Sequence, residues 1–265
     1  MKYIPRYDEY RKIIHNIKDT GKLFDYWEAI DKDEFIILRH DVEFSIERAY
    51  KMAAIEKEED IKSTYFIQIT NNAYNALSMQ NRKIINKIFE MGHSIGLHYH
   101  LNGVTDPLKT KDRIREQIRI MSEMCGIPVD RFSMHRPVKE VYYYSILIEG
   151  IINAYSPEFF TLIDESAEYD DSKLKVKYIA DSRHKWNYGY PDYETLNCNK
   201  KIQLLIHPDF WSVGGYDAEE NFVELIHENS MTYIETLDEE CKHFALYKEK
   251  IKEDVTQHFG RNISE

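Results

Sequence analysis

The sequence predicts an α/β fold, a parallel sheet wrapped by helices, on three observations. Short all-apolar segments such as Phe35-Ile36-Ile37-Leu38 read as strands buried on both faces. Between them run stretches whose apolar residues recur at three and four, the spacing of an amphipathic helix. No internal repeat, low-complexity tract or Pro/Gly/Ser-rich linker interrupts the 265 residues, so a single domain over 1–265 accounts for the chain. Periodicity leaves the sheet open or closed into a barrel. Both architectures bind ligands at the carboxyl ends of the strands.

The elements follow in order. Residues 1–30 form a helical segment, with Tyr7, Tyr10, Ile13, Ile14 and Ile17 on one face and Gly21 as its stop. Phe35 to Leu38 is the first strand, and Ser45 is an N-cap for a helix carrying Ile46, Ala49, Tyr50, Ala53 and Ile55. Ser63 to Ile67 is the next strand. A helix from Ser78 stacks Ile84, Ile85, Ile88 and Phe89 and ends at Gly92. Ser94 to Tyr99 is the third strand, and a helix through Ile114, Ile118 and Met121 closes at Gly126. Arg131 to His135, Lys177 to Ala180 and Ile202 to Ile206 are further strands, and a last helix from Ala218 carries Phe222, Leu225 and Ile226.

Composition narrows the partners. A formal net charge of -11 opposes phosphate-backbone binding, which excludes nucleic acid and favours a sugar or small molecule. Twenty tyrosines suit polyol recognition or a core with wet edges. Cys125, Cys198 and Cys241 are odd in number and far apart, so no disulfide framework is expected. Met1 to Ile17 shows no signal-peptide pattern, and no run approaches about 18 apolar residues, so no membrane span and a cytoplasmic location are expected.

Polar residues collect where the strands end. Arg39, His40, Asp41 and Glu43 follow the first, and His98, His100 and Asn102 accompany the third. His135-Arg136-Pro137, Asp181-Ser182-Arg183 and His207-Pro208 end later ones. Asp41 and Glu43 are two apart and face the same way on an extended backbone, where two carboxylates repel unless a cation or proton lies between them. His98 and His100 share that spacing, which suits two ligands of one metal.

The strings "RHDVEFS", "STYF", "GHSIGLHYH", "SMHRP", "YIADS" and "LLIHP", in this order over roughly residues 35 to 211, resemble the polysaccharide deacetylase family, the NodB-homology or family 4 carbohydrate esterases. The resemblance implies a distorted (β/α) barrel of about seven parallel strands. It also implies a hydrolase, dependent on a divalent metal and on zinc first, that removes acetyl from an N-acetylated sugar or sugar nucleotide. "RHDV" and "LLIHP" are typical of the intracellular branch that serves O-antigen and surface polysaccharide. By that resemblance Asp41 is the general base, Glu43 the metal carboxylate where the family usually has Asp, and His98 the first metal histidine. Asn102 stands where the second histidine is expected, and His100 is then the replacement ligand. Arg136 matches the arginine that holds the catalytic carboxylate, and His207 the general acid. Asp181 falls near the fourth motif, with Trp186 the nearest tryptophan to it. His135 binds substrate or completes the metal shell, and His40, Asn102 and Trp211 are placed on the substrate side. Two alternatives stay open, a catalytically inactive sugar-binding or regulatory protein and an amidohydrolase of a non-sugar amide.

Overall fold

Phe35 begins a strand as its apolar run requires, but β1 continues to Val42 through three charged or titratable residues, and all eight positions are buried. A strand can carry charges through a core only if each finds a partner there. Side chains alternate between faces, so Phe35, Ile37, Arg39 and Asp41 face inward while Ile36, Leu38, His40 and Val42 face the helices. The computed structural model of the chain describes residues 3–138, 146–161 and 174–259, which leaves the Tyr142-Tyr143-Tyr144 run outside the described residues.

Six further strands join β1: β2 (Thr64–Ile67), β3 (Ser94–His100), β4 (Arg131–His135), β5 (Ile152–Asn153), β6 (Lys177–Ala180) and β7 (Lys201–Ile206). They form one seven-stranded, all-parallel sheet in the order β5-β4-β3-β2-β1-β7-β6. Only β5 escapes the sequence pattern, because two residues are too short to show a period.

Helices α1 (Tyr7–Thr20), α3 (Ile46–Glu58), α4 (Met79–Glu90), α5 (Pro107–Cys125), α6 (Tyr193–Cys198), α7 (Ala218–Glu240) and α8 (Lys248–Phe259) lie outside, while the short α2 (Tyr26–Ala29) packs against the inner face. Their ends follow capping chemistry. The side chains of Ser45, Ser78 and Asp106 accept backbone N–H bonds at the starts of α3, α4 and α5, and Gly21 ends α1 with a φ of 64°. No described helix is long and apolar enough to cross a membrane.

Two apolar layers lie between the sheet and its helices, one under α3, α4 and α5 and one under α1 and α6. A third lies inside the curl of the sheet, where Phe35, Ile37 and Phe66 meet Tyr26 of α2 and Phe159. That inner layer is an apolar floor, and further along the same strands the inward residues turn polar. Gly96 on β3 makes the floor fit. An added Cβ there would lie 2.5 Å from the Phe66 ring and 2.8 Å from Arg131 Cγ. Gly96→Ala is therefore expected to destabilise the fold by about 1–3 kcal/mol through overpacking. Urea unfolding of the two proteins measures it, and an unchanged midpoint would rule out the close contact.

Candidate active site

Above the floor, Arg39 is fully buried, and its Nη2 donates to Asp41 Oδ2 at 2.8 Å and to the Tyr155 hydroxyl at 2.9 Å. Its Nη1 donates to Gln203 Oε1 at 3.0 Å. Gln203 on β7 is itself fixed, accepting from the Tyr26 hydroxyl at 2.7 Å and donating to the carbonyls of Ala154 and Phe159 at 3.1 and 2.8 Å. Burial alone would raise the Asp41 carboxyl, but Arg39 first, then His98 and His207, hold it below the usual carboxylate range. Asp41 is an anion with no need of solvent.

Beside it stand three donor atoms from three strand ends. Glu43 Oε1 lies 2.8 Å from His135 Nδ1 and 3.6 Å from His98 Nε2, and the two ring nitrogens are 3.2 Å apart. Tetrahedral ligands at zinc distances lie about 3.3 Å from one another. Two imidazoles and a carboxylate are also a ligand set used by catalytic zinc sites, so the residues present fit a divalent cation. His98 is oriented through its other nitrogen, which sits 2.7 Å from Ser133 Oγ, and Ser133 Oγ donates in turn to Asp41 Oδ1 at 3.3 Å. That bond is the kind of outer contact that fixes the tautomer of a ligating histidine.

Across the cleft, His207 Nδ1 lies 2.7 Å from Asp181 Oδ1, and the Trp211 indole donates to Asp181 Oδ2 at 2.9 Å. Burial disfavours the imidazolium, but the Asp181 bond and charge outweigh it and raise His207 to about 9. With Nδ1 taken by Asp181, Nε2 is the proton available to the cleft. A carboxylate held ionised and an imidazole held charged thus share one cavity of about 490 Å³, lined among others by Asp41, Glu43, His98, His135 and His207.

No family model and no curated protein matches the chain. Solved structures do. A CE4 esterase from Streptococcus mutans superposes with a TM-score of 0.45 at 10% identity, over 88% of this chain and 91% of that one. A CE4 family pseudoenzyme from Bacillus anthracis gives 0.41 at 14% identity, over 84% and 77%. The chitin deacetylase from Colletotrichum lindemuthianum gives 0.31 at 19% identity, over 37% of this chain and 44% of its own, less than half of that protein's length. Two of these neighbours are thus CE4 proteins, one an esterase and one a pseudoenzyme, and the third is a chitin deacetylase.

Several sequence-predicted residues lie elsewhere than expected. His100 faces the same side as His98 but is outside the donor group: its Nδ1 accepts the Asn102 amide at 3.0 Å and its ring lies against that of His135, at 5.1 Å between centroids. His135 takes that place, brought over by the pairing of β3 and β4. Asn102 is exposed in the turn after β3, with a φ of 49°, and does not line the cleft. Arg136 is exposed on the cleft wall, and the guanidinium on Asp41 is instead that of Arg39. His40 points to the opposite face of β1, with Nε2 2.7 Å from Glu56 Oε1 and Nδ1 3.0 Å from the Ile206 carbonyl, so it is not on the substrate side. Trp211 is wholly buried behind Asp181 rather than exposed to a ligand, while Trp186 makes no bond to Asp181.

Asp209 was not singled out by sequence reasoning. Its carboxylate accepts the amides of Glu43 and Ser45 at 2.8 and 2.7 Å, which ties the loop after β1 to the 3-10 turn that follows His207. Its position in "HPDFW", directly behind a strand-end histidine, was the available signal. Asp181 and His207 generate a titration test. The folded chain keeps the imidazolium to about pH 9, whereas an unfolded histidine loses it near about 6.5. The stability this contributes is complete below the unfolded value and lost as pH rises through the folded one. Asp181→Asn leaves burial in command, so proton NMR of the ring should find His207 titrating at least about two units lower than in the wild type. Equal midpoints in the two proteins would remove Asp181 from this role.

Proposed function

We propose that the chain is a metal-dependent amide hydrolase that removes an acetyl group from an N-acetylated sugar. The observation that carries the proposal is the meeting in one cleft of an ionised Asp41, a charged His207 and the Glu43, His98 and His135 donors. Paired titratable groups driven in opposite directions are what acid–base hydrolysis at neutral pH requires. Those three donors would hold zinc, which would supply Lewis-acid polarisation of a carbonyl and a water more acidic than in bulk.

The protein's own residues do the proton work. Asp41 accepts the proton of the attacking water, and its charge, set by Arg39, is restored when that proton leaves. His207 passes its Nε2 proton to the amide nitrogen as the carbon–nitrogen bond breaks, so the products are a carboxylate and an amine. Asp181 keeps the imidazole charged and aimed until then. Tyr155, Tyr178, Tyr188, Phe210 and Phe222 line the same cleft and offer flat faces for a pyranose ring. The motif resemblance supports a sugar over another amide, and its intracellular branch supports a role in building surface polysaccharide.

The inactive alternative draws on Asn102 and on the longer side chain of Glu43. His135 supplies the donor that Asn102 does not, and Glu43 Oε1 lies within 2.8 Å of it, which weighs in favour of an enzyme.

Equilibrium dialysis against zinc is expected to find one ion per chain. His98→Ala and His135→Ala should weaken binding by about 10²-fold or more, while His100→Ala keeps it. Retention in His135→Ala with loss in His100→Ala would reverse the ligand assignment. On an N-acetylated sugar substrate, Asp41→Asn and His207→Ala should each lower kcat by about 10²–10⁴ while circular dichroism stays native. Near-normal turnover in either variant would refute its role.

A further inference from the structure

Arg136 and Arg183 are left without an assignment by the hydrolytic machinery, yet both line the cleft. Six other arginines, Arg11, Arg39, Arg48, Arg115, Arg119 and Arg131, each pair with a carboxylate. Among the described residues Arg6, Arg82, Arg113, Arg136 and Arg183 have no such partner, and of these five Arg136 and Arg183 are the two that line the cleft. Both are exposed, Arg136 directly after His135 at the end of β4 and Arg183 two residues after Asp181 beyond β6. Strands β4 and β6 lie on opposite sides of β1 in the sheet, and the residues that follow them line one cleft. Each also sits in the left-handed backbone region, with φ of 45° and 61°, and a third cleft residue, Tyr188, has φ of 65°. Strained backbone at non-glycine residues concentrates at ligand-handling sites.

The charge balance sharpens the point. A chain of net charge -11 repels anions at a distance, and an arginine at its surface has many carboxylates within reach. Two guanidiniums without one on the same cleft wall make a local patch of the opposite sign. Guanidinium binds oxyanions through paired parallel N–H bonds.

We propose that Arg136 and Arg183 form an oxyanion subsite, and that the sugar hydrolysed here carries a phosphoryl or carboxylate group beside its acetamide. Two cationic side chains match the charge of a phosphoryl group better than that of a single carboxylate, so a glycosyl phosphate or its nucleotide conjugate is the favoured class. The proposal presupposes the amide hydrolysis argued above for its consequence, not for the binding itself. Asp41 and His207 then act on the acetamide while the two arginines hold the charged end, which sets which sugars enter.

The test is a binding series by calorimetry with the zinc-loaded full chain. The probes are N-acetylglucosamine, its anomeric phosphate, its uridine diphosphate conjugate and the corresponding N-acetylated uronic acid. The phosphorylated probes are expected to bind about tenfold to a hundredfold tighter than the neutral sugar, with a preference that shrinks as salt is raised. In the double variant Arg136→Asn, Arg183→Asn the ratio should collapse toward unity. Asparagine accepts the left-handed backbone, so that variant removes charge without adding strain. Arg136→Lys with Arg183→Lys should keep part of the preference. A tighter uronic acid would assign the oxyanion to a carboxylate. Equal binding of neutral and charged probes, or a preference that survives the double asparagine variant, overturns the subsite. Parallel acetate-release assays separate the two proposals: discrimination without hydrolysis defeats the deacetylase and leaves the subsite, and hydrolysis without discrimination does the reverse.

Discussion

A guanidinium with no exposure to water stands at the centre of the sheet, and much of the surrounding architecture serves to keep it there. Taking Arg39 out of solvent costs several kcal/mol, and only a partner charge with further hydrogen bonds offsets that. Asp41 provides the charge, while Gln203 and Tyr155 provide the bonds. Gln203 in turn is set by Tyr26 from α2 and by carbonyls that follow β5, so β7, α2 and the segment after the edge strand β5 converge on one side chain. The same pairing that makes the charge tolerable keeps Asp41 ionised where water is scarce. Fold stability and the protonation state of the candidate base therefore rest on one contact.

The other face of β1 carries a second buried network. Glu56 on α3 is held at about 2 against the effect of burial by His40, His93 and Tyr10. Its carboxylate accepts from the hydroxyls of Tyr10, Ser63 and Tyr65, the last two at 2.7 Å, and so joins α1, α3 and β2 behind the rim. A strand clamped by ion pairs on both faces cannot slip by a residue without exposing charge to apolar side chains. Such rigidity is what a site built on strand ends needs, because donor atoms must stay within fractions of an ångström of their working positions.

Position is also imposed from the direction of His207. Asp209, one residue past His207-Pro208, accepts the amide of Glu43, and Arg48 Nη1 donates to the Asp209 carbonyl at 2.6 Å and to Asn221 Oδ1 at 2.7 Å. The loop that bears the candidate metal carboxylate and the turn that bears the candidate acid thus share one tether, and Asn221 extends it to α7. Phe222, the next residue, lines the cleft, so the long helix is fixed where its side chain completes the wall.

The sequence by itself determined the parallel α/β order, six of the seven strands, the main helices, and the rule that polar residues would gather at strand ends. Those features depend on local period and on capping residues, which a single chain displays. It also placed Asp41, Glu43, His98, His135 and His207 at those ends, and the structure brings all five to one cleft. Tertiary structure alone decided which neighbours they meet. Arg39 rather than Arg136 reaches Asp41, because alternation on β1 puts residues two apart on the same inner face. His135 rather than His100 joins Glu43 and His98, because strand pairing delivers a residue from β4 while the His100 ring nitrogen is used by its own turn. His40 and Trp211 became buried supports, since the partner that satisfies each is remote in sequence, sixteen residues away at Glu56 and thirty at Asp181. Sequence reports which face a side chain takes along its own strand; which atoms wait there depends on how the sheet curls.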